Sequence, residues 1–256
     1  MNSEAKTSLV KLGWMVGLVA TAMIIISGVE KRSQAGAESL EISVHPLDDG
    51  KFLITDKEVK KIIANGFGSD LVGEQLKNID VERLELLLEE EPFVLNADAY
   101  VDAQNRLHVE IDQRKALVRI MDSNGLDYYL DENGVKMPPS KHYAARVIVA
   151  TGNIPPYTSD YLERKNHLLK DLFQLVNFIE NDELLSLLID QIHVSKGDFI
   201  LVPKIGKHKI VLGSLDMLDD KTERLKIFYK EGIGREGWRK YDRIDLRFEG
   251  QVVAGK

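Results

Sequence analysis

From Leu12 to Val29 the chain runs LGWMVGLVATAMIIISGV without a single charge, bracketed by Lys6 and Lys11 before it and by Glu30, Lys31 and Arg32 after it. As a helix rising about 1.5 Å per residue, that run reaches roughly 27 Å, close to the hydrocarbon thickness of a bilayer. Leu, Ile and Val hold eight of its positions, each favouring insertion by about 0.3–0.6 kcal/mol. The run predicts a transmembrane helix over residues 12–29, anchored by Leu12, Trp14, Ile24, Ile25, Ile26 and Val29. Ala35-Gly36-Ala37 offers a small-x-small cleavage pattern, but the apolar run exceeds the length of a signal-peptide h-region and three charges separate it from the alanines. An uncleaved anchor is therefore expected. Lysine and arginine counts on the two sides nearly tie, so charge alone does not orient it. The tail of residues 1–11 is too short to fold, which makes a tail inside and a large domain outside the economical arrangement.

Beyond the anchor, the composition excludes several functions. A formal net charge of −7 argues against a nucleic-acid partner, because neutralising phosphates needs a clustered basic surface. With no cysteine there is no disulfide staple, thiolate nucleophile or cysteine metal site. Each extramembrane domain must be held by its own apolar core. Charged residues at 29% and aromatics at 7% are ordinary for such domains.

Residues 30–38 are small and polar and read as a tether. Leu40, Ile42 and Val44 then alternate with Glu41, Ser43 and His45, a half-buried strand closed by Pro46. Thr55 followed by Glu58 is a capping box, and Val59, Ile62 and Ile63 give the helix one apolar face, with Asn65-Gly66 as its stop. Asp80 caps a second helix striped by Val81, Leu84, Leu87 and Leu88. Glu89-Glu90-Glu91 at its end point in different directions and read as a solvated terminus rather than a metal site. Pro92 ends the helix. Residues 93–101 and 107–112 form a hairpin, Val94, Asn96 and Asp98 facing one way and Phe93, Leu95, Ala97 and Ala99 the other.

This β-α-α-β-β order, with Pro92-Phe93-Val94-Leu95-Asn96-Ala97 leading into a hairpin that closes on Leu107-His108-Val109-Glu110-Ile111, resembles a POTRA domain. Placed behind one N-terminal anchor, it is similar to the FtsQ/DivIB family of bacterial division proteins. That resemblance implies an α+β fold: a transmembrane helix, a POTRA domain over residues 39–115, and a β domain over 116–256 with an antiparallel β-sheet and packed helices.

The second half supports the same reading from its own residues. Strands are predicted over 117–121, 128–130 and 146–150, and the phrases YYLDENG and ARVIVATG look like family phrases. Residues 162–180 carry the longest helical stripe outside the anchor. A three-stranded meander follows over 189–195, 198–203 and 209–212, then a helix from Asp216 that stops at Gly232. Gly232, Gly234 and Gly237 read as a flexible turn. A final strand begins near Tyr241, with Ile244, Leu246 and Phe248 on its core face and Asp245, Arg247 and Glu249 outward. The phrase IDLRFEGQVV resembles the family's last strand, beside which an FtsB/FtsL partner pair docks. The resemblance therefore implies a partner-binding site at Asp245, Arg247, Phe248, Glu249 and Gly250, with Phe248 where the family usually carries tyrosine.

Chemistry is not visible. The six histidines are scattered without metal-ligand spacing, and no nucleophile elbow or phosphate loop is present. No catalytic residue, cofactor, metal or small-molecule substrate is expected. Two readings stand. The first is a non-enzymatic divisome scaffold of the inner membrane, concentrated at the septum, that binds partners by strand addition to its last strand. The other is a POTRA-bearing envelope transport or assembly factor that holds client strands.

Overall fold

The computed structural model describes residues 13–24, 27–28, 34–233 and 240–256. Residues 13–24 and 27–28 are helical, with Trp14 and Ile24 exposed. Among the described residues no helix is long and apolar enough to cross a membrane. Leu12, Ile25, Ile26 and Val29 lie outside the described residues, as do Gly234 and Gly237. The chain divides into two compact units, Met1–Gln113 and Arg114–Lys256.

In the first unit three strands, β1 (Leu40–Val44), β2 (Val94–Val101) and β3 (Leu107–Gln113), form a sheet in the order β1-β3-β2. β1 runs parallel and β2 antiparallel to the central β3. Two helices, α1 (Asp56–Phe67) and α2 (Val81–Glu89), pack Val59, Ile63, Leu84 and Leu88 against Val109 and Ile111. The capping box at Thr55 and Glu58 is formed, and the Asp80 carboxylate accepts the Arg83 N–H at 3.0 Å. Buried Gln113 satisfies itself by accepting from the Leu53 N–H at 2.5 Å and donating to the His45 carbonyl at 2.7 Å.

Three expectations change here, each for a steric or hydrogen-bonding reason. Gly66 does not stop α1, which continues to Phe67 and is capped by Gly68 at φ +74°. A Cβ at Gly66 would strike the Leu87 side chain, so this glycine admits α2 rather than ending α1. In β2 the register shifts between Val94 and Asn96, which puts Val94 on the buried face with Ala97 and Ala99 and leaves Leu95 exposed. The end of the tether is part of the fold as well. Ala37 is buried and exchanges backbone hydrogen bonds with Glu74 and Gly73, while the Ala35 carbonyl accepts the Leu76 N–H at 2.9 Å.

The second unit holds nine strands: β4 (Ala116–Asp122), β5 (Asp127–Asp131), β6 (Lys136–Met137), β7 (Ile148–Gly152), β8 (Ile189–Ser195), β9 (Asp198–Pro203), β10 (Lys209–Gly213), β11 (Arg243–Asp245) and β12 (Val253–Gly255). Their order is β12-β11-β10-β9-β8-β7-β4-β5-β6. The sheet is mixed rather than antiparallel, because β4·β7, β7·β8 and β10·β11 are parallel pairs. A parallel return requires a crossover, and α3 (Leu168–Glu180) with α4 (Glu183–Leu188) supplies it between β7 and β8.

Helix α3 begins at Leu168, later than its stripe suggests, and buries Leu169, Leu172, Leu175, Val176 and Ile179. These meet Ile120, Ile192, Val194, Leu201, Ile210 and Ile244 in one core, while alternate residues such as Gln191, His193 and Lys209 are exposed. Between β8 and β9, Lys196 (φ +53°) and Gly197 (φ +87°) give the doubly left-handed turn a two-residue hairpin favours. Helix α5 (Leu218–Ile227) continues into a π-helical turn at Phe228–Ile233, so Gly232 lies within that turn instead of stopping the helix.

Candidate functional site

The expected site falls at one end of the nine-stranded sheet. β11 is short because its polar residues turn back on themselves. Asp245 is 4% exposed, and its carboxylate accepts from the Arg243 guanidinium at 2.6 Å and from the Arg247 guanidinium at 2.8 and 3.0 Å. It also accepts the Arg247 backbone N–H at 3.1 Å. Burial pushes this carboxyl up, but the hydrogen bonds from Arg247 and Arg243 outweigh it and hold it below the usual carboxylate range. The same contacts drive Arg247 upward.

Arg247 is thus not a free outward cation. Its guanidinium also donates to Asp198 on β9 at 3.1 Å, and its stem lies across Gly213. Gly213 has φ +76°, and a Cβ there would strike the Arg247 stem. Glycine is therefore required by both conformation and space. A shallow groove of about 370 Å³ runs along this face, lined by Lys196, Asp198, Lys209, Arg243 and Arg247 among others.

After Leu246, whose N–H bonds to the Val211 carbonyl at 2.9 Å, the chain leaves the sheet. Phe248 is 48% exposed, so it does not hold the strand to the core as its alternation suggested. Glu249 and Gly250 lie in a turn, Gly250 at φ +68°. The chain then reverses into β12, which pairs antiparallel with β11 from Asp245↔Val253 to Arg243↔Gly255. β11 accordingly has a neighbour on each side, β10 and β12, and the sheet ends at β12. The expectation of an open strand through Asp245, Arg247 and Phe248 is corrected: Asp245 is buried at the centre of an ion network whose arginines stay partly exposed, Phe248 leads into a turn, and the outer strand is Val253–Gly255.

Sequence reasoning missed the residue that holds this turn. Arg224, on α5, donates to the Phe248 carbonyl at 2.9 Å and to the Gln251 carbonyl, while pairing with Asp220 one helical turn earlier at 2.8 Å. The Asp220-x-x-x-Arg224 spacing was a signal for the pair, though not for its reach. Val252-Val253 after Gly250-Gln251 was a signal for a second short strand. Among the described residues, no three His, Asp or Glu side chains gather where they could hold a metal ion.

A family model described as FtsQ/DivIB, C-terminal related, matches residues 115–255, just over half of the chain. The chain belongs to the FtsQ/DivIB family. A POTRA-like domain model matches residues 37–112, the unit built on β1, β2 and β3. A search of curated proteins gives no match. FtsQ/DivIB proteins are generally non-enzymatic division scaffolds, typically associated with the septal membrane. The matched region includes β11, the turn and β12, so this sheet end belongs to the family domain.

Proposed function

We propose that this FtsQ/DivIB chain is a non-enzymatic division scaffold that recruits a membrane partner pair of the FtsB/FtsL kind by adding a partner strand alongside β12. In this reading residues 12–29 anchor it in the cytoplasmic membrane, the tail of residues 1–11 lies inside, and both units lie outside at the septum. The observation that carries the reading is that, among the described residues, β12 ends the sheet, held by β11 on one side with no strand on the other. An end strand has backbone N–H and C=O groups to offer, and an incoming strand completes the ladder with them. Arg224 keeps the turn from fraying, so less ordering is left for the partner to impose. The exposed Phe248, Glu249 and Val253 then supply side-chain contacts for selecting the partner. A shared membrane raises the effective concentration of two weak contacts.

Proline placed separately at Val253 and at Ala254 tests this in the full-length chain. Successive strand N–H groups point to opposite sides, so one substitution breaks the β11–β12 ladder and the other removes a donor from the open side. The second should abolish capture of the partner pair while leaving thermal stability unchanged. Undiminished capture by both variants would refute strand addition at β12. Exchanging residues 12–29 for an unrelated transmembrane segment should preserve septal localisation and function if this stretch serves only as a tether.

A further inference from the structure

β2, on the outside of the three-stranded sheet, is eight residues long, VLNADAYV, and contains none of the lysines or prolines that commonly guard an exposed edge. Its guard comes from the helix packed over it. Glu85 of α2 reaches the outward side of the strand, where its carboxylate accepts the Ala99 N–H at 2.8 Å. Glu89, one helical turn on, accepts the Ala97 N–H more loosely at 3.5 Å. Ala97 and Ala99 lie two residues apart, opposite Ile111 and Val109 of β3, and their N–H groups turn away from β3 to the glutamates, which makes them consecutive outward donors. Ala97 and Ala99 are both 5% exposed, and their small side chains let α2 come close enough for glutamate to span the distance.

We infer that Glu85, seconded by Glu89, is a stopper on this edge, whose carboxylates take the places a neighbouring strand's carbonyls would take and so prevent copies of the chain from pairing through β2. This role gives a purpose to Glu85 and Glu89 that an ordinary solvated helix end does not need. An incoming strand must displace a charged acceptor from Ala99 before it gains that hydrogen bond, and charge-assisted bonds are the stronger kind.

The test compares three forms of the full-length chain in one mild detergent: unmodified, Glu85→Ala with Glu89→Ala, and Glu85→Gln with Glu89→Gln. Amide exchange is followed at Ala99, with Leu107, Val109 and Ile111 on β3 reporting that the sheet is intact. In the unmodified chain the Ala99 amide should be protected even though, among the described residues, no strand lies on its outward side. The alanine form should exchange Ala99 about tenfold faster and sediment as a concentration-dependent dimer. The glutamine form retains an acceptor oxygen and should remain monomeric. Two results would overturn the inference: an unprotected Ala99 amide in the unmodified chain, which needs no variant to fold, or an alanine form as monodisperse as the unmodified chain.

Discussion

The two units each present a sheet edge, and the edges are treated in opposite ways. β2 is long, and its outward amides are taken by glutamates from the helix beneath it. β12 is only three residues long, yet its supporting turn is gripped by Arg224 and, among the described residues, no strand lies on its outer side. A helix beside the strand makes the difference in both cases, closing one edge with acceptors and bracing the other with a donor. Edge availability is thus a property of side chains on neighbouring elements, and strand length alone ranks these two edges in the wrong order.

The largest effects should come from removing what each edge rests on. Leu88→Ala in the first unit and Ile244→Ala in the second each delete a fully buried aliphatic side chain, at a cost of about 2–5 kcal/mol in denaturant unfolding. Their local consequences should differ. Leu88→Ala loosens α2 and should speed exchange at Ala99, whereas Ile244→Ala loosens β11 and should weaken partner capture. If both variants lose stability while Ala99 exchange stays unchanged, the helix is not what closes the β2 edge. Arg224→Ala comes next. It deletes two charge-assisted bonds to the Phe248 and Gln251 carbonyls, and should cost about 1.5–3 kcal/mol. Partner affinity should fall in the same variant, because the turn beneath β12 loses its brace.

How much of this was legible depended on how local the physics is. The capping box at Thr55 and Glu58, the Asp80 cap and the stripe of α3 lie within a few residues of chain and were readable. The stop of α1 was not, because Gly66 and Gly68 look alike until Leu87 is seen filling the space beside Gly66. The parallel pairing of β10 with β11 depends on a helix between them and leaves no local mark. At the candidate site, Asp245 and Arg247 were singled out with the wrong geometry. Period-two alternation put Arg247 outward, but two carboxylates, Asp245 and Asp198, drew its guanidinium back onto the sheet. Arg224 was invisible because it acts 24 residues away from Phe248 in the chain.

A smaller effect separates the edges by pH. The Asp245 carboxyl titrates lower in the folded protein than in the unfolded chain, since its arginine partners favour the charged form over the opposing effect of burial. Its contribution is therefore present above the unfolded value near about 3.9. It is lost as pH falls through the folded value. Asp245→Asn should remove that part of the acid dependence, seen as a flatter profile of stability against pH below about 4. Capture through β12 should weaken in the same acid range in the unmodified chain if the network under β11 positions the outer strand. Acid-insensitive capture would reduce the network to a local support.

The smallest effect on stability is expected from Phe248→Ala, and it distinguishes the two descriptions of this region most cleanly. Were Phe248 on the core face of a continuous last strand, its loss would cost about 3–5 kcal/mol. In the turn between β11 and β12 Phe248 is 48% exposed and is held through the backbone, by the Arg224 bond to its carbonyl, which alanine retains. The cost to folding should be under about 1 kcal/mol. Aromatic residues, phenylalanine among them, are enriched at the cores of protein interfaces. The same variant should therefore lose partner affinity out of proportion to its stability, whereas an aromatic substitution, Phe248→Tyr, should restore it. Equal affinity in Phe248→Ala and the unmodified chain would leave the selection of a partner to the strand edge and to Glu249 and Val253 beside it.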